Sequence, residues 1–323
     1  MKMSKPFRIC LVLLLCLTLT GCQAARVSPS RQYNVWFIAK STSTGFWRSA
    51  FSGANVAKSE YNLQLTICGP DTEEDYEAQN AFIYDAIADH ADAIVFSSIS
   101  YTENAAAIDA AADAGIKVVV IDSNVNSKKV SARIGTDNVA AGKKAASVAI
   151  DAGYDSLVIG IVNFDLTSRN GQEREEGFRT AIKESGIGAE IYTINVVTDI
   201  EVAKEETKQL LLAHPEINVI VGLNEPLAVG AAEAVAELGL GDSVTMIGMD
   251  TNVRCIDLMR TGNVSALIAQ NPYAMGYMGV EACYELLEGA SYDPDVWIDT
   301  PTILVLEETM FSPESQRALF SFE

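Results

Sequence analysis

The sequence has 323 residues, which is enough for two domains, and its 49% hydrophobic and 20% charged residues are typical of a globular protein. Its 43 Asp and Glu against 23 Lys and Arg give a formal net charge of −20. Such a charge disfavours nucleic acids and anionic membrane surfaces as partners, because both are negatively charged, but it does not exclude a neutral ligand.

The first 21 residues have the pattern of an export signal. Three basic residues precede a largely apolar run at 9–19, which is shorter than the roughly 20 residues of a membrane-spanning helix. The segment LTGC follows and ends at Cys22; it resembles the lipobox of bacterial lipoproteins. This resemblance implies cleavage before Cys22 and a lipid on its thiol, the alternative being an ordinary signal with an incidental cysteine. Residues 22–32 are short and polar and predict a tether.

Removal of residues 1–21 takes away three basic and no acidic residues, so the remaining chain carries a net charge of −23. Its cysteines beyond Cys22 are Cys68, Cys255 and Cys283, an odd number without CxxC spacing. This pattern favours small buried thiols over a disulfide framework or a metal site.

From residue 33 onward, apolar runs of strand length alternate with segments of helical periodicity. Strands are predicted at 34–39, 63–68, 93–96, 117–122, 156–163, 190–197, 219–224, 244–250, 265–270 and 297–306, and residues 132–138 are predicted to be a connector. Apolar runs without polar alternation, each separated from the next by a helix, indicate parallel sheet buried on both faces. The fold class is therefore α/β, and at least nine strands and nine helices predict two similar halves.

Most of the predicted strands end in a polar side chain. These side chains are Ser97, Ser98, Asp122, Asn163, Asn224, Asp250 and Gln270. Because parallel strands end at one rim of a sheet, two halves facing each other would enclose a polar cleft. Each of these residues could instead cap the helix that follows it, since Asp, Asn and Ser are favoured there. A similar choice applies to Phe46 and Trp47 after the first strand, which form either a ligand wall or core anchors of the first helix.

The chemistry of such a cleft favours a ligand rich in hydroxyl groups. Carboxylates accept hydrogen bonds from hydroxyls, amides both donate and accept, and Arg174 would add a planar fork of donors. The sequence contains no GxGxxG after a strand, no P-loop, no GxSxG and no HExxH. No nucleophile–base pair can be nominated, so we predict a binding protein without catalytic residues, cofactor or metal. An enzyme that acts on sugars is the rival hypothesis.

Ordered segments between residues 33 and 307 resemble the ribose-binding group of bacterial solute-binding proteins, the sugar receptors of ABC importers. The segments are GFWRSAFSGA, VVVID, IGTDNVAAGKKAA, GQEREEGF, LLLAHPEINVIVGLNE, IGMD and IAQNPYAMGYMGVE. LacI-type repressors share this core, but a lipoprotein-like signal stands here in place of a DNA-binding headpiece. The resemblance implies the type I periplasmic binding protein fold, in which two α/β lobes joined by three crossovers close on the ligand.

The same resemblance implies lobe limits and site residues. The first lobe would comprise 33–136 plus 271–299, the second 137–270 plus 300–310, and 311–323 would be a tail with one short helix. Phe46 and Trp47 would contact the sugar ring. Hydrogen-bonding contacts would come from Asp122, Arg174, Asn224, Asp250 and Gln270.

Four positions depart from the pattern of the ribose binders and are secondary candidates for ligand contact. Thr44 and Ser97 stand in place of asparagine, Ser123 in place of arginine, and Thr198 in place of an aromatic residue. A site built for particular hydroxyls rejects analogues that lack them. These four changes therefore predict that this protein prefers a different sugar from the ribose binders. The departures count against ribose itself, and another pentose, a hexose, a cyclic polyol and a furanose-like signalling compound are the candidates.

The resemblance therefore implies a monomeric, lipid-anchored extracytoplasmic protein that captures a sugar or polyol and delivers it to an ABC permease. A receptor that binds the same ligand but docks on a membrane sensor kinase or chemoreceptor is the alternative.

Overall fold

The computed structural model describes residues 32–320; the predicted signal, all of the predicted tether before residue 32, and residues 321–323 lie outside the described residues. The described range contains twelve strands. They are β1 (Asn34–Ile38), β2 (Gln64–Cys68), β3 (Ala93–Phe96), β4 (Lys117–Ile121), β5 (Ala132–Gly135), β6 (Leu157–Asn163), β7 (Ala189–Asn195), β8 (Val219–Gly222), β9 (Thr245–Met249), β10 (Ala266–Ala269), β11 (Trp297–Asp299) and β12 (Ile303–Leu306).

The same range contains ten α-helices and a 3₁₀ turn at Glu307–Thr309. The helices are α1 (Gly45–Glu60), α2 (Tyr76–Ala88), α3 (Ala105–Asp113), α4 (Asn138–Asp151), α5 (Arg169–Ser185), α6 (Ile200–Ala213), α7 (Glu225–Glu237), α8 (Val253–Arg260), α9 (Pro272–Leu287) and α10 (Pro313–Leu319). Helix α10 is the short helix predicted in the tail; Ser312 caps it and Pro313 occupies its first turn. None of the helices between residues 32 and 320 has the length and apolar character needed to cross a bilayer.

The strands form two six-stranded sheets. The first has the order β11-β5-β4-β3-β1-β2 and the second the order β12-β10-β9-β8-β6-β7. All neighbouring strands are parallel except β10 and β12. Every residue of β3, β8 and β10 is buried, as uninterrupted apolar runs predict for sheets covered on both faces. The predicted α/β class with two similar halves is confirmed.

We refer to the first sheet with helices α1, α2, α3 and α9 as the first lobe, and to the second sheet with the other helices as the second lobe. The chain passes between the sheets three times: after β5, after β10, and between β11 and β12. The lobe limits given above in residue numbers remain a prediction.

Two details of the predicted strands were wrong. Residues 132–135 form β5 rather than a connector, and the polar member of this strand, Arg133, donates hydrogen bonds to Asn124 and to the carbonyl oxygen of Ser127. The single run predicted at 297–306 is two strands in different sheets. Pro301, which lacks an N–H donor, separates them, and the amide of Thr300 donates to Gly135 at the edge of the first sheet.

Each lobe contains a pair of helices in close contact at glycine residues. A Cβ at Gly276 of α9 would lie 1.9 Å from the carbonyl oxygen of Ala50 on α1, and one at Gly142 of α4 would lie 2.0 Å from that of Arg174 on α5. Only a residue without a side chain permits such an approach of two backbones. The second contact matters for function, because it fixes the part of α5 that carries Arg174.

Candidate functional site

The site lies where the carboxyl ends of the two sheets face each other. Asp122 follows β4, Asn224 lies beyond β8, Asp250 follows β9, and Gln270 follows β10. In a parallel sheet this end collects the loops that leave the strands, and ligands of α/β proteins bind there. Four of the seven polar strand ends predicted from the sequence therefore line one cavity, and the other three, Ser97, Ser98 and Asn163, do not. Ser98 and Asn163 make hydrogen bonds within their own lobes and do not line the cavity between the sheets.

A cavity between the lobes is lined by fourteen residues. They are Lys40, Thr44, Phe46, Trp47, Glu73, Asp122, Phe164, Asn170, Arg174, Asn224, Glu225, Pro226, Asp250 and Gln270. All seven principal candidates from the sequence are among them, and so is Thr44. The free volume is about 20 Å³, close to the space of one water molecule. A sugar ring can therefore enter only if the lobes separate or side chains shift.

Arg174 is a buried cation in the lining of this cavity, with 1% of its surface exposed. Its Nε donates to Asn138 Oδ1 at 2.9 Å and its Nη1 to the carbonyl oxygen of Leu223 at 2.8 Å. Its Nη2 has no hydrogen-bond partner and lies 3.9 Å from Asp122 Oδ1. The guanidinium is thus fixed on one side and keeps a donor available on the other.

The Asp122 carboxylate is oriented by residues of both lobes. Ser97 Oγ donates to its Oδ2 at 2.8 Å, and Asn170 Nδ2 of the second lobe donates to its Oδ1 at 3.1 Å. Ser97, a secondary candidate, does not line the cavity but positions a residue that does. An oriented carboxylate beside a free guanidinium donor presents both an acceptor and a donor to a ligand hydroxyl.

Asp250 and Gln270 form a second polar pair on the cavity wall. Gln270 Nε2 donates to Asp250 Oδ1 at 2.5 Å, and Thr136 Oγ1 donates to Gln270 Oε1 at 2.7 Å. Burial raises the pKa of Asp250 to about 7, against the opposing effects of Arg174 and the Gln270 hydrogen bond. The protein groups around Asp250 thus offset only part of the cost of burying its negative charge. Hydrogen bonds from a ligand would therefore favour the charged form of this carboxyl.

The aromatic pair after β1 forms one wall. The rings of Phe46 and Trp47 lie edge to face with centroids 5.0 Å apart. Trp47 is 1% exposed, belongs to the core of the first lobe, and donates from Nε1 to Glu73 Oε1 at 2.8 Å. Trp47 therefore anchors α1 in the core and also lines the cavity, so the core-anchor and ligand-wall interpretations are compatible at this residue. Thr44 caps α1 by accepting from the Trp47 amide.

Two of the other candidates lie elsewhere. Ser123 is buried, and its Oγ has no hydrogen-bond partner, but it does not line the cavity. Thr198 also lies outside the lining, and its backbone amide donates to Glu74 Oε1 at 2.7 Å.

Asn224 lines the cavity and at the same time caps α7, since its Oδ1 accepts from the Leu227 amide at 3.0 Å. The capping explanation is therefore correct for Asn224 without excluding a ligand contact.

Six lining residues were missed by sequence reasoning: Lys40, Glu73, Phe164, Asn170, Glu225 and Pro226. Lys40 Nζ donates to Ser168 Oγ at 2.8 Å, lies 3.5 Å from Glu73 Oε2, and sits 5.0 Å from the centroid of the Phe164 ring. Burial raises the pKa of Glu73, and the charge of Lys40 opposes that effect. Lys40 and Phe164 come just after strands, so their position at strand ends was the available signal.

Direct contacts join the two lobes around the cavity. Lys40 donates to Ser168 and Asn170 donates to Asp122, as described above. In addition, the Tyr101 amide donates to the Thr167 carbonyl oxygen at 2.9 Å. Glu225 accepts from the amides of Gly45 and Phe46, and Glu74 from that of Thr198. The lobes therefore lie in a closed arrangement, held by hydrogen bonds that cross the cleft.

No group of three or more His, Cys, Asp or Glu side chains within residues 32–320 is placed to hold a metal ion. The cysteines of this range, Cys68, Cys255 and Cys283, are free, and burial raises the pKa of each thiol. Their thiols are therefore less ionised than ordinary ones and are poor metal ligands at neutral pH.

Comparison with known proteins places these features in a family. A model of the periplasmic binding protein domain matches residues 35–291. The ribose import binding protein of Bacillus subtilis is 27% identical over 302 residues, which cover 89% of this chain and 94% of the relative.

Solved structures show the same fold. A sugar transporter from Clostridium phytofermentans is 31% identical with a TM-score of 0.78, over 85% of this chain and 99% of that one. An ABC transporter solute-binding protein from Agrobacterium vitis with bound D-fucose is 26% identical with a TM-score of 0.85, over 88% and 99% of the two chains. The type I periplasmic binding protein fold expected from the sequence is confirmed.

Proposed function

The chain belongs to the periplasmic binding protein family, a family of binding proteins rather than enzymes, and on that premise we propose that it is a lipid-anchored sugar receptor. It captures a sugar or sugar-like polyol between its lobes outside the cytoplasm and delivers it to an ABC import permease. The relatives support this proposal, since they include a ribose import binding protein and an ABC transporter protein with bound D-fucose.

The observation that carries the proposal is the Nη2 donor of Arg174, which has no hydrogen-bond partner and lies in a cavity that two aspartate carboxylates also line. An unpaired buried donor costs free energy, which a ligand oxygen would recover. Asp122 and Asp250 accept from hydroxyl groups, so neighbouring hydroxyls on one ring could bond to all three side chains. Phe46 and Trp47 would pack against the apolar C–H face of that ring.

Ligand binding would favour closure because the contacts come from both lobes. Asp122, Phe46 and Trp47 belong to the first lobe, whereas Arg174 and Asp250 belong to the second. A ligand bound to one lobe gains its remaining contacts only when the other lobe closes on it. The chain crossings after β5, after β10 and between β11 and β12 would form the hinge, with lobe limits at 136–137, 270–271 and 299–300.

We further infer which sugars to test. Thr44 lines the cavity and Ser97 positions Asp122, whereas Ser123 and Thr198 lie outside the lining. The hydrogen-bonding set therefore differs from that of the ribose binders, so pentoses, hexoses and cyclic polyols are all suitable candidates. Ribose and D-fucose, named with the relatives, are the first two to test.

Export, anchoring and delivery complete the proposal. The proposed protein is an extracytoplasmic monomer. The lipobox-like segment ending at Cys22 supports a lipid anchor on the thiol of that residue. Metabolic labelling of cells with a fatty acid tests the anchor, since label on the wild-type chain and none on Cys22→Ala is expected. Loss of uptake of the bound sugar on deletion of the gene tests delivery; retained uptake would contradict it.

A thermal-shift screen tests ligand binding. The protein without its first 21 residues is melted with D-ribose, D-fucose, other pentoses and hexoses, and cyclic polyols, with amino acids as controls. A specific ligand raises the melting temperature, because it stabilises the folded state by RT ln(1 + [L]/Kd). A shift with an amino acid and none with any sugar or polyol would refute the proposal.

A further inference from the structure

Glu225 joins the two lobes through its carboxylate. It is the first residue of α7 in the second lobe and is 5% exposed. Its Oε2 accepts from the Phe46 amide at 2.6 Å and its Oε1 from the Gly45 amide at 3.2 Å, both at the start of α1 in the first lobe. Asn252 Nδ2 of the second lobe donates to Oε1 at 2.7 Å and holds the carboxylate in place.

The N-terminus of α1 is well suited to this partner. The first amides of a helix have no acceptor within the helix, and the helix dipole places partial positive charge there. A carboxylate that accepts two such amides makes charge-assisted hydrogen bonds, which are stronger than neutral ones. A Cβ at position 45 would lie 2.9 Å from Glu225 Oε1, so any other residue there would displace the carboxylate.

The same contact lies between two spaces in the cleft. Glu225 lines the central cavity, whereas its partners Gly45, Phe46 and Asn252 line a groove of about 720 Å³ between the lobes. Phe46, Asp250 and Gln270 line both spaces, so the groove adjoins the cavity directly. Glu225 and the start of α1, together with Asp250 and Gln270, thus separate the two spaces.

We propose that Glu225 is a specificity-determining residue that latches the lobes and closes the sugar cavity off from the groove. When the lobes close on a bound ring and the latch forms, the site holds a compact ring and excludes a ring that carries a substituent on the groove side. Without it, the cavity opens into the groove, and a substituent such as a glycosidic methyl group gains space. The selectivity part of this inference rests on the proposed sugar-binding function; the latch itself does not.

Amide hydrogen exchange tests the latch without any sugar. First-turn amides of a helix usually exchange fast, because they have no acceptor within the helix. In the wild-type protein, exchange of the Gly45 and Phe46 amides should nevertheless be slow. In Glu225→Ala it should be at least tenfold faster. Glu225→Gln keeps the shape of the side chain and should give an intermediate rate. Glu74→Gln serves as the control, because Glu74 also accepts an amide across the cleft but does not line the cavity. Unchanged exchange at Gly45 and Phe46 in Glu225→Ala would overturn the latch.

Calorimetry with free sugars and their methyl glycosides tests selectivity. D-ribose, D-arabinose, D-fucose and D-galactose are each compared with the methyl α- and β-glycosides. The ratio of glycoside Kd to sugar Kd should fall at least tenfold in Glu225→Ala and stay unchanged in Glu74→Gln. An unchanged ratio in Glu225→Ala overturns the selectivity part of the inference. If no sugar binds the wild-type protein, the proposed function and the selectivity fail together, whereas the exchange result still decides the latch.

Discussion

Asp122 and Asp250 follow the third strand of their respective sheets, β4 and β9, and both have left-handed backbone angles, with φ of 55° and 70°. Each lobe therefore presents one carboxylate to the cavity from an equivalent position. Asp and Asn are the non-glycine residues that best tolerate positive φ, and such conformations are concentrated at functional sites. Both aspartates can thus be replaced by asparagine with little backbone strain.

Asp250→Asn should change how stability depends on pH. Because burial raises the pKa of Asp250 from 3.8 to about 7, the folded protein binds more protons than the unfolded chain between these values. The free energy of unfolding contributed by this group therefore falls as pH rises from about 4 to about 7. The neutral variant lacks this loss, so it should exceed the wild type by up to about 4 kcal/mol at pH 8, at about 1.4 kcal/mol per pKa unit.

Urea unfolding of both proteins at pH 4, 5, 6, 7 and 8 measures this effect. The difference between them should grow with pH and become constant above about pH 7. The other carboxyl groups of the cavity, Glu73, Asp122 and Glu225, are present in both proteins, so their contributions largely cancel. A difference that does not vary with pH would contradict the assignment.

Asp122→Asn should weaken sugar binding with little change in the melting temperature. The variant keeps the backbone conformation but replaces a charged acceptor, and hydrogen bonds to charged groups contribute about 1.5–3 kcal/mol. Calorimetry with the sugar identified by the thermal screen should show a loss of affinity of about 10- to 100-fold. Arg169→Gln is the control, since Arg169 is an exposed residue that pairs with Glu173 outside the cavity. Equal affinity in Asp122→Asn and the wild type would remove Asp122 from the ligand-binding set.

Trp47 should report ligand binding by its fluorescence. Trp36 and Trp297 do not line the cavity, so the double variant Trp36→Phe, Trp297→Phe leaves Trp47 as its single tryptophan. A sugar packed against the indole changes its surroundings, and an emission change that saturates with the calorimetric Kd is expected. The reciprocal variant Trp47→Phe should lose this change. A signal that persists in Trp47→Phe and is absent from the double variant would place the ligand elsewhere.

Gly142→Ala should destabilise the protein and weaken ligand binding together. The added Cβ would lie 2.0 Å from the Arg174 carbonyl oxygen, so α4 and α5 must move apart and carry Arg174 with them. Overpacking of this kind costs about 1–3 kcal/mol. The matched control is Gly188→Ala, because a Cβ there meets no atom within 4 Å and the residue has no positive φ. Denaturant unfolding should give a lower free energy of unfolding for Gly142→Ala than for Gly188→Ala, and calorimetry should give a weaker ligand affinity. Equal free energies of unfolding would contradict the packing argument.

Most of the elements, the α/β class and the rim where polar groups collect could be predicted from the sequence, because the spacing of apolar residues and the residue types at strand ends are local properties. Asp122, Asn224, Asp250 and Gln270 were predicted at the cavity for that reason. The aromatic pair and Arg174 were candidates from their chemistry, with alternatives left open for the aromatic pair, and the resemblance then implied ligand contacts for them. Sequence reasoning failed at β5, whose pattern includes Arg133, and at residues 297–306, where the division between two sheets depends on tertiary pairing.

The groups that meet across the cleft could not be predicted from the sequence. Glu73 lies in a loop before α2, Asn170 lies in the first turn of α5, and Glu225 begins α7, so none of them ends a strand. Their place at the cavity depends on how the lobes face each other, which no local pattern encodes. The same holds for the contact between Glu225 and the start of α1, since it joins residues 180 positions apart in the sequence.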